Sequence, residues 1–229
     1  MTQAVTKKKR IWLRMLLVLV VVMAAFGITV GVVSLYASSA TTGNTIAQYS
    51  NPRSALLVLD VQYDTTNNND LYGDTTEFIE NVNHAIALAE AGGLEIIYIK
   101  SITGKNPIIL MLMMGRYREG SDGAELDSRL RVVNQNIFAK EISDAFSSDE
   151  LESFLILREV DTLYIVGADA AGCVYRTAQG GLNRSYRVTI IEEAVITFDD
   201  KTMEDMLKKY VSDGIEVISL EEFREVAAG

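Results

Sequence analysis

The stretch ALLVLDVQYD, residues 55–64, opens with five apolar residues and turns polar at Asp60. A run this short, with no polar face, fits a strand buried on both sides, as at the centre of a parallel sheet. Residues 96–99, 163–166, 188–191 and 217–219 read the same way, and 137–139 form a shorter sixth run. Helical patterns fill the gaps. Residues 75–91 place Phe78, Val82, Ala85, Ile86 and Ala89 on one stripe, with Asp74 as N-cap and Gly92-Gly93 as the stop. Residues 149–158, 174–182 and 202–210 also fit helices. Strands alternating with helices predict an α/β fold, a three-layer, doubly wound, mainly parallel sheet flanked by helices with right-handed crossovers. In such sheets ligands bind beyond the carboxyl ends of the strands.

Three reactive side chains follow strands. Asp60 ends the first, Lys140 follows 137–139, and Gly167-Ala168-Asp169-Ala170-Ala171-Gly172-Cys173 follows Val166. A cysteine that opens a helix meets free N–H groups and the positive end of the helix dipole. Both favour a thiolate, and a neighbouring Lys140 ammonium would lower the thiol pKa further. The competing reading is an inert cysteine packed as a small hydrophobe. Asp60 beside Lys140 would serve as proton acceptor, or the two would form a structural salt bridge. The glycine spacing from 167 to 172 lacks the Lys-Ser/Thr ending of a phosphate loop. His84, between Val82 and Ile86 in mid-helix, is assigned to the helix surface.

Working back to the N-terminus, residues 15–36 contain no charge, and 22 residues meet the ~20 needed to cross a bilayer as a helix. The expected organisation is a basic cytoplasmic tail over 1–14 (Lys7, Lys8, Lys9, Arg10, Arg14), a transmembrane helix over 15–36, a linker over 37–51 and one domain over 52–229. With the bases on one side and no further charge until Arg53, the positive-inside rule puts the N-terminus in the cytoplasm and the domain outside, on a single-pass anchor. The alternative is a signal peptide cleaved after Ala40, for which the apolar run is long. The linker ASSATTGNTIAQYSN is small, polar and uncharged, and reads as a flexible tether.

Charge and composition narrow the partners. The first 50 residues hold five of the 21 bases and none of the 31 acids, so the remainder sets 16 bases against 31 acids. A surface that acidic argues against nucleic acid as a partner. One cysteine and one histidine exclude an intrachain disulfide, a cysteine-rich zinc site and a multi-histidine metal site.

Three segments, taken together, carry a family likeness. Leu59-Asp60-Val61-Gln62-Tyr63-Asp64, then Lys140-Glu141-Ile142-Ser143-Asp144-Ala145-Phe146, then Gly167 to Val174 with Thr177-Ala178, resemble the isochorismatase-like cysteine hydrolases over roughly residues 54–198. Gly120-Ser121-Asp122-Gly123-Ala124-Glu125-Leu126 resembles a further loop of that family. The resemblance implies a catalytic triad of Asp60, Lys140 and Cys173, a cis peptide between Ala168 and Asp169, and an oxyanion hole formed by the N–H groups of Asp169 and Cys173. It puts forward Gln62, Thr65 and Phe146 as substrate-pocket candidates, with Thr65 where many relatives carry Phe and Ala170 where many carry Thr. It implies no cofactor. Nicotinamidases of the family hold a metal on an aspartate and two histidines, which a chain with one histidine cannot supply. Members that cleave isochorismate's vinyl ether lack the cysteine, so Cys173 points to the amide-cleaving branch.

The expected function is therefore hydrolysis of a small amide or related C–N bond through a cysteine thioester, with a small-molecule substrate and attachment to the membrane by the N-terminal helix. Two rivals are a non-catalytic binding domain that retains the fold and a thiol-based redox protein. The run PIILMLMM, residues 107–114, fits no motif. Core or subunit-interface burial, a pocket wall, a lid and bilayer contact are its candidate roles, and a homo-oligomer is left open.

Overall fold

A computed structural model describes residues 2–67, 69–104 and 106–228. The side chains of residues 1–11, Asn69 and Asp70 lie outside the described ones, and with them the basic side chains of Lys7, Lys8, Lys9 and Arg10. The chain forms two compact units, Met1–Tyr36 and Ala37–Gly229. Helix α1 (Thr2–Ala37) makes up the first. Its segment Trp12–Ala37 is long and apolar enough to cross a membrane, as a span or as a signal sequence, and buries none of that surface against protein.

The second unit is built on six parallel strands, β1 (Arg53–Leu59), β2 (Glu95–Ser101), β3 (Ile137–Lys140), β4 (Val160–Ala168), β5 (Arg187–Ile196) and β6 (Glu216–Ile218), in the order β3-β2-β1-β4-β5-β6. The helices are α2 (Tyr63–Thr66), α3 (Asn69–Tyr72), α4 (Thr76–Ala91), α5 (Pro107–Leu112), α6 (Asp149–Leu157), α7 (Tyr175–Leu182), α8 (Asp200–Ser212) and α9 (Leu220–Ala227). The sheet is buried on both faces, as the unbroken apolar runs require. Leu57, Leu59, Ile97, Ile99, Leu163 and Ile165 pack with Leu151, Leu155, Ala178 and Tyr210 of α6, α7 and α8. Leu56, Val58, Ile96, Tyr98, Tyr164 and Val166 pack with Val82, Ile86 and Phe223 of α4 and α9 on the other side. Strand order reverses between β1 and β4, where Asp60 and the 167–173 segment lie, which is the switch point that doubly wound sheets use for ligands.

Two local details depart from expectation. Asp74 lies one residue outside the cap position of α4 and accepts from Thr76 N–H at 2.9 Å, while Thr75 takes the N-cap. Residues 37–51 are not a free tether but begin as a strap tied to the domain. Thr41 donates its N–H and its hydroxyl to the buried Asp144 carboxylate, each at 2.7 Å, and Arg184 reaches back to the Thr41 hydroxyl at 3.0 Å. Ile46 donates its N–H to Arg184 O and packs on the α6–α8 core. Thr41, whose polarity suggested solvent, is satisfied by buried partners instead, while most of the other polar residues of the segment are exposed.

Candidate active site

Asp60 follows β1 directly and has φ of +53°, a left-handed conformation that Asp tolerates better than most side chains and that turns the chain off the sheet. Its neighbour across the switch point is Gly167, with φ of +121°. A Cβ there would meet Leu59 O at 2.0 Å, so only glycine lets β4 pass this close to the aspartate. Ala168–Asp169 is a cis peptide, and the chain then makes a π-helical turn (Ala170–Val174) that leads Cys173 into α7.

These elements bring Asp60, Lys140 and Cys173 together. The Lys140 side chain is fully buried, and its ammonium donates to Asp60 Oδ2 at 2.8 Å, Ser101 Oγ at 2.7 Å and Cys173 Sγ at 3.1 Å. Three N–H groups thus meet three acceptors. Ser101 closes the ring by donating to Asp60 Oδ1 at 3.1 Å. Burial alone would lower the lysine pKa, but the Asp60 carboxylate and the Cys173 sulfur hold it well above the ordinary lysine value. Cys173 runs opposite to expectation. Burial and the Asp60 charge push the thiol up to about 12 against the pull of Lys140, which favours the thiol over the thiolate.

A cavity of about 110 Å³ opens on this cluster and is lined by Asp60, Thr65, Tyr72, Ser101, Met113, Arg116, Tyr117, Ala168, Asp169, Gly172 and Cys173. Burial raises both phenols, Tyr117 to about 12, which keeps them neutral donors. Of the three substrate-pocket candidates, only Thr65 lines the cavity, bonded to the Tyr117 hydroxyl at 2.9 Å. Gln62 does not, because its amide is consumed by backbone: Nε2 donates to Ser101 O and Ala124 O, and Oε1 accepts from Ser101 N–H. Phe146 does not either, since it is buried in the core against Tyr186 and under the Arg184 guanidinium. Met113 brings the unassigned 107–114 run to the cavity wall, while Met111, Leu112 and Met114 are exposed. His84 is exposed on α4. Among the described residues no group of three or more His, Cys, Asp or Glu is placed to hold a metal ion.

Sequence reading missed Ser101, Tyr72, Arg116 and Tyr117. Ser101 had a signal, for it closes β2 at the same sheet edge as Asp60 and Lys140. Tyr72 ends the four-residue helix α3, and Arg116 and Tyr117 sit on the turn after α5, segments too short for periodicity to say much.

A family model described as an isochorismatase domain matches residues 54–222. An N-carbamoylsarcosine amidase from an Arthrobacter species is 33% identical over 73 residues, which span 31% of this chain and 28% of the amidase. Among solved structures, an isochorismatase family protein from Desulfovibrio vulgaris superposes with a TM-score of 0.69 at 22% identity, covering 78% of this chain and all of that one. An N-carbamoylsarcosine amidase from Thermoplasma acidophilum does so with a TM-score of 0.64 at 22% identity, covering 73% and 96%. At these identities the two structures share the fold.

Proposed function

The chain belongs to the isochorismatase family, and on that premise we propose that it is a cysteine hydrolase of small amides or related C–N bonds, with Asp60, Lys140 and Cys173 as its catalytic residues. The observation that carries this reading is the buried ammonium of Lys140 held at once against Asp60 and Cys173 at the wall of a cavity. The partial match to an amidase supports the choice of amide over other bonds.

Since burial favours the thiol form, attack and proton removal are coupled. Asp60 takes the Sγ proton as sulfur bonds to the substrate carbonyl carbon, and the carbonyl oxygen becomes an oxyanion facing the N–H groups of Asp169 and Cys173. Collapse breaks the C–N bond, and Asp60 hands its proton to the departing nitrogen. Water then gives a proton to Asp60 and its oxygen to the thioester carbon. The C–S bond breaks, and the sulfur regains the proton from Asp60. The sum is amide plus water to carboxylic acid plus amine. Lys140 stays charged throughout, orienting Asp60 and offsetting the negative charge that forms on sulfur.

The helix at the N-terminus is read as an uncleaved anchor with the basic tail cytoplasmic and the domain outside, resting on the charge asymmetry around residues 15–36. The chemical reading is tested by screening amides, carbamoyl compounds and ureides for ammonia or amine release, with acid quenching during turnover and mass spectrometry of Cys173. An acyl adduct on Cys173 is expected in the wild type and absent from Cys173→Ser and Asp60→Asn, each of which loses turnover while remaining folded. The double variant should lose no more than either single one, because both side chains serve one step. Near-wild-type hydrolysis by Cys173→Ser would exclude the thioester.

A further inference from the structure

Ser101 has no part in the chemistry above, yet it is buried among the groups that do and lines the same cavity. It closes β2, and the sheet register pairs it with Lys140 of β3, so both side chains leave the carboxyl edge of the sheet on one face. Its backbone is held by the fully buried Gln62, two residues past Asp60. Gln62 Oε1 accepts from Ser101 N–H at 2.7 Å, and Nε2 donates to Ser101 O at 2.9 Å. That clamp fixes the point from which the serine hydroxyl reaches its partners.

The direction of the two hydroxyl bonds is forced. A charged ammonium has donors only, so Ser101 Oγ accepts from Lys140 Nζ at 2.7 Å. Its single hydrogen is left for Asp60 Oδ1 at 3.1 Å, since an ionised carboxylate has acceptors only. A proton placed on Oδ1 would displace that hydrogen and leave it without an acceptor, a costly state for a buried donor. Oδ2 carries no such conflict. It shares the Lys140 ammonium with Cys173 Sγ, at 2.8 and 3.1 Å. We propose that Ser101 is a positioning residue that pins Asp60 by Oδ1 and so assigns Oδ2 as the base for the Cys173 proton. The S–H bond breaks, the proton settles on Oδ2, and the electron pair stays on sulfur for the attack. This rests on the hydrolase reading for Asp60 as the base and adds the group that orients it.

The test needs no substrate. Iodoacetamide is given to the full chain in detergent, and alkylation of Cys173 is followed by mass spectrometry from about pH 6 to about pH 9. With Asp60 taking the proton internally, the wild-type rate should be level with pH. A thiol that must ionise to solvent instead reacts about tenfold faster for each pH unit below its pKa. Ser101→Ala should slow labelling at least about tenfold at the acid end, the worth of one hydrogen bond to a charged group, and turn the level profile into that slope. Asp60→Asn should give the same slope, and Ser101→Thr, which returns the hydroxyl, the level profile. A merely structural serine would lower the thermal midpoint when replaced and leave the profile level. If Ser101→Ala fails to fold, Ser101→Gly carries the same expectation. A level profile in a folded variant without the hydroxyl overturns the proposal and leaves Asp60 as the base. A folded threonine variant as steep as the alanine one overturns it too. A steep wild-type profile, or no label at any pH, removes Asp60 as the base and the hydrolase reading with it, so the two failures are told apart.

Discussion

Lys140 donates to Asp60, Ser101 and Cys173 together, so its replacement separates electrostatic tuning from architecture. If the ammonium offsets the rise of the Cys173 thiol, Lys140→Ala raises that pKa further and slows alkylation of Cys173 by iodoacetamide at pH 8.5 by about tenfold for each pKa unit gained. The fold should survive at a cost of ~3–5 kcal/mol, since Asp60 is left as a buried unpaired charge. Unchanged alkylation with that same loss of stability would make the pair architectural. These three residues were legible because each follows a strand and strand ends in an α/β sheet converge. The state of the thiol was not. A helix N-terminus and a lysine both argue for a thiolate, and spacing does not tell that the partly buried sulfur shares its lysine with a buried carboxylate. Arg116 and Tyr72 were equally hidden, because nothing in the spacing of the turn and the four-residue helix that carry them predicts which way they fold over the sheet edge.

Among the elements, the strap is where local sequence misleads most. Its small polar residues suit open chain, yet Thr41 is clamped between Asp144 and Arg184, on the segment that runs from Lys140 into α6. Thr41→Val removes both side-chain bonds and leaves the buried Asp144 with one donor fewer, an expected loss of ~1–3 kcal/mol. The thermal midpoint should fall by ~2–4 °C per kcal/mol. Thr42→Val is the control, because Thr42 offers Arg184 only its backbone carbonyl. Equal midpoints for the two variants would show that the strap is held by its backbone. The strands, by contrast, were readable to within a few residues, since burial on both faces leaves an unbroken apolar run. Helix α9 was missed although its Ser219 and Glu222 form a reciprocal cap that the sequence displays, and α5 was missed because a six-residue helix has no period to detect. The step between β4 and β5, where Ile165 pairs with Ile190 but Gly167 with Val195, has no counterpart in hydropathy at all.

At the scale of the whole chain, the charge division around α1 predicts that protease added to intact cells removes the domain, and that the purified protein begins at or near Met1. Digestion only after permeabilisation would reverse the orientation, and a mature chain starting at Thr41 would make the helix a signal peptide. The single cysteine acquires a further meaning here. Oxidants act on thiolates and thiolates attack disulfides, and burial beside Asp60 disfavours that charged form of the only cysteine. With no second thiol in the chain to pair with, the cysteine has no intrachain disulfide to form, and the burial that disfavours its thiolate predicts a slower reaction with peroxide than a free cysteine shows.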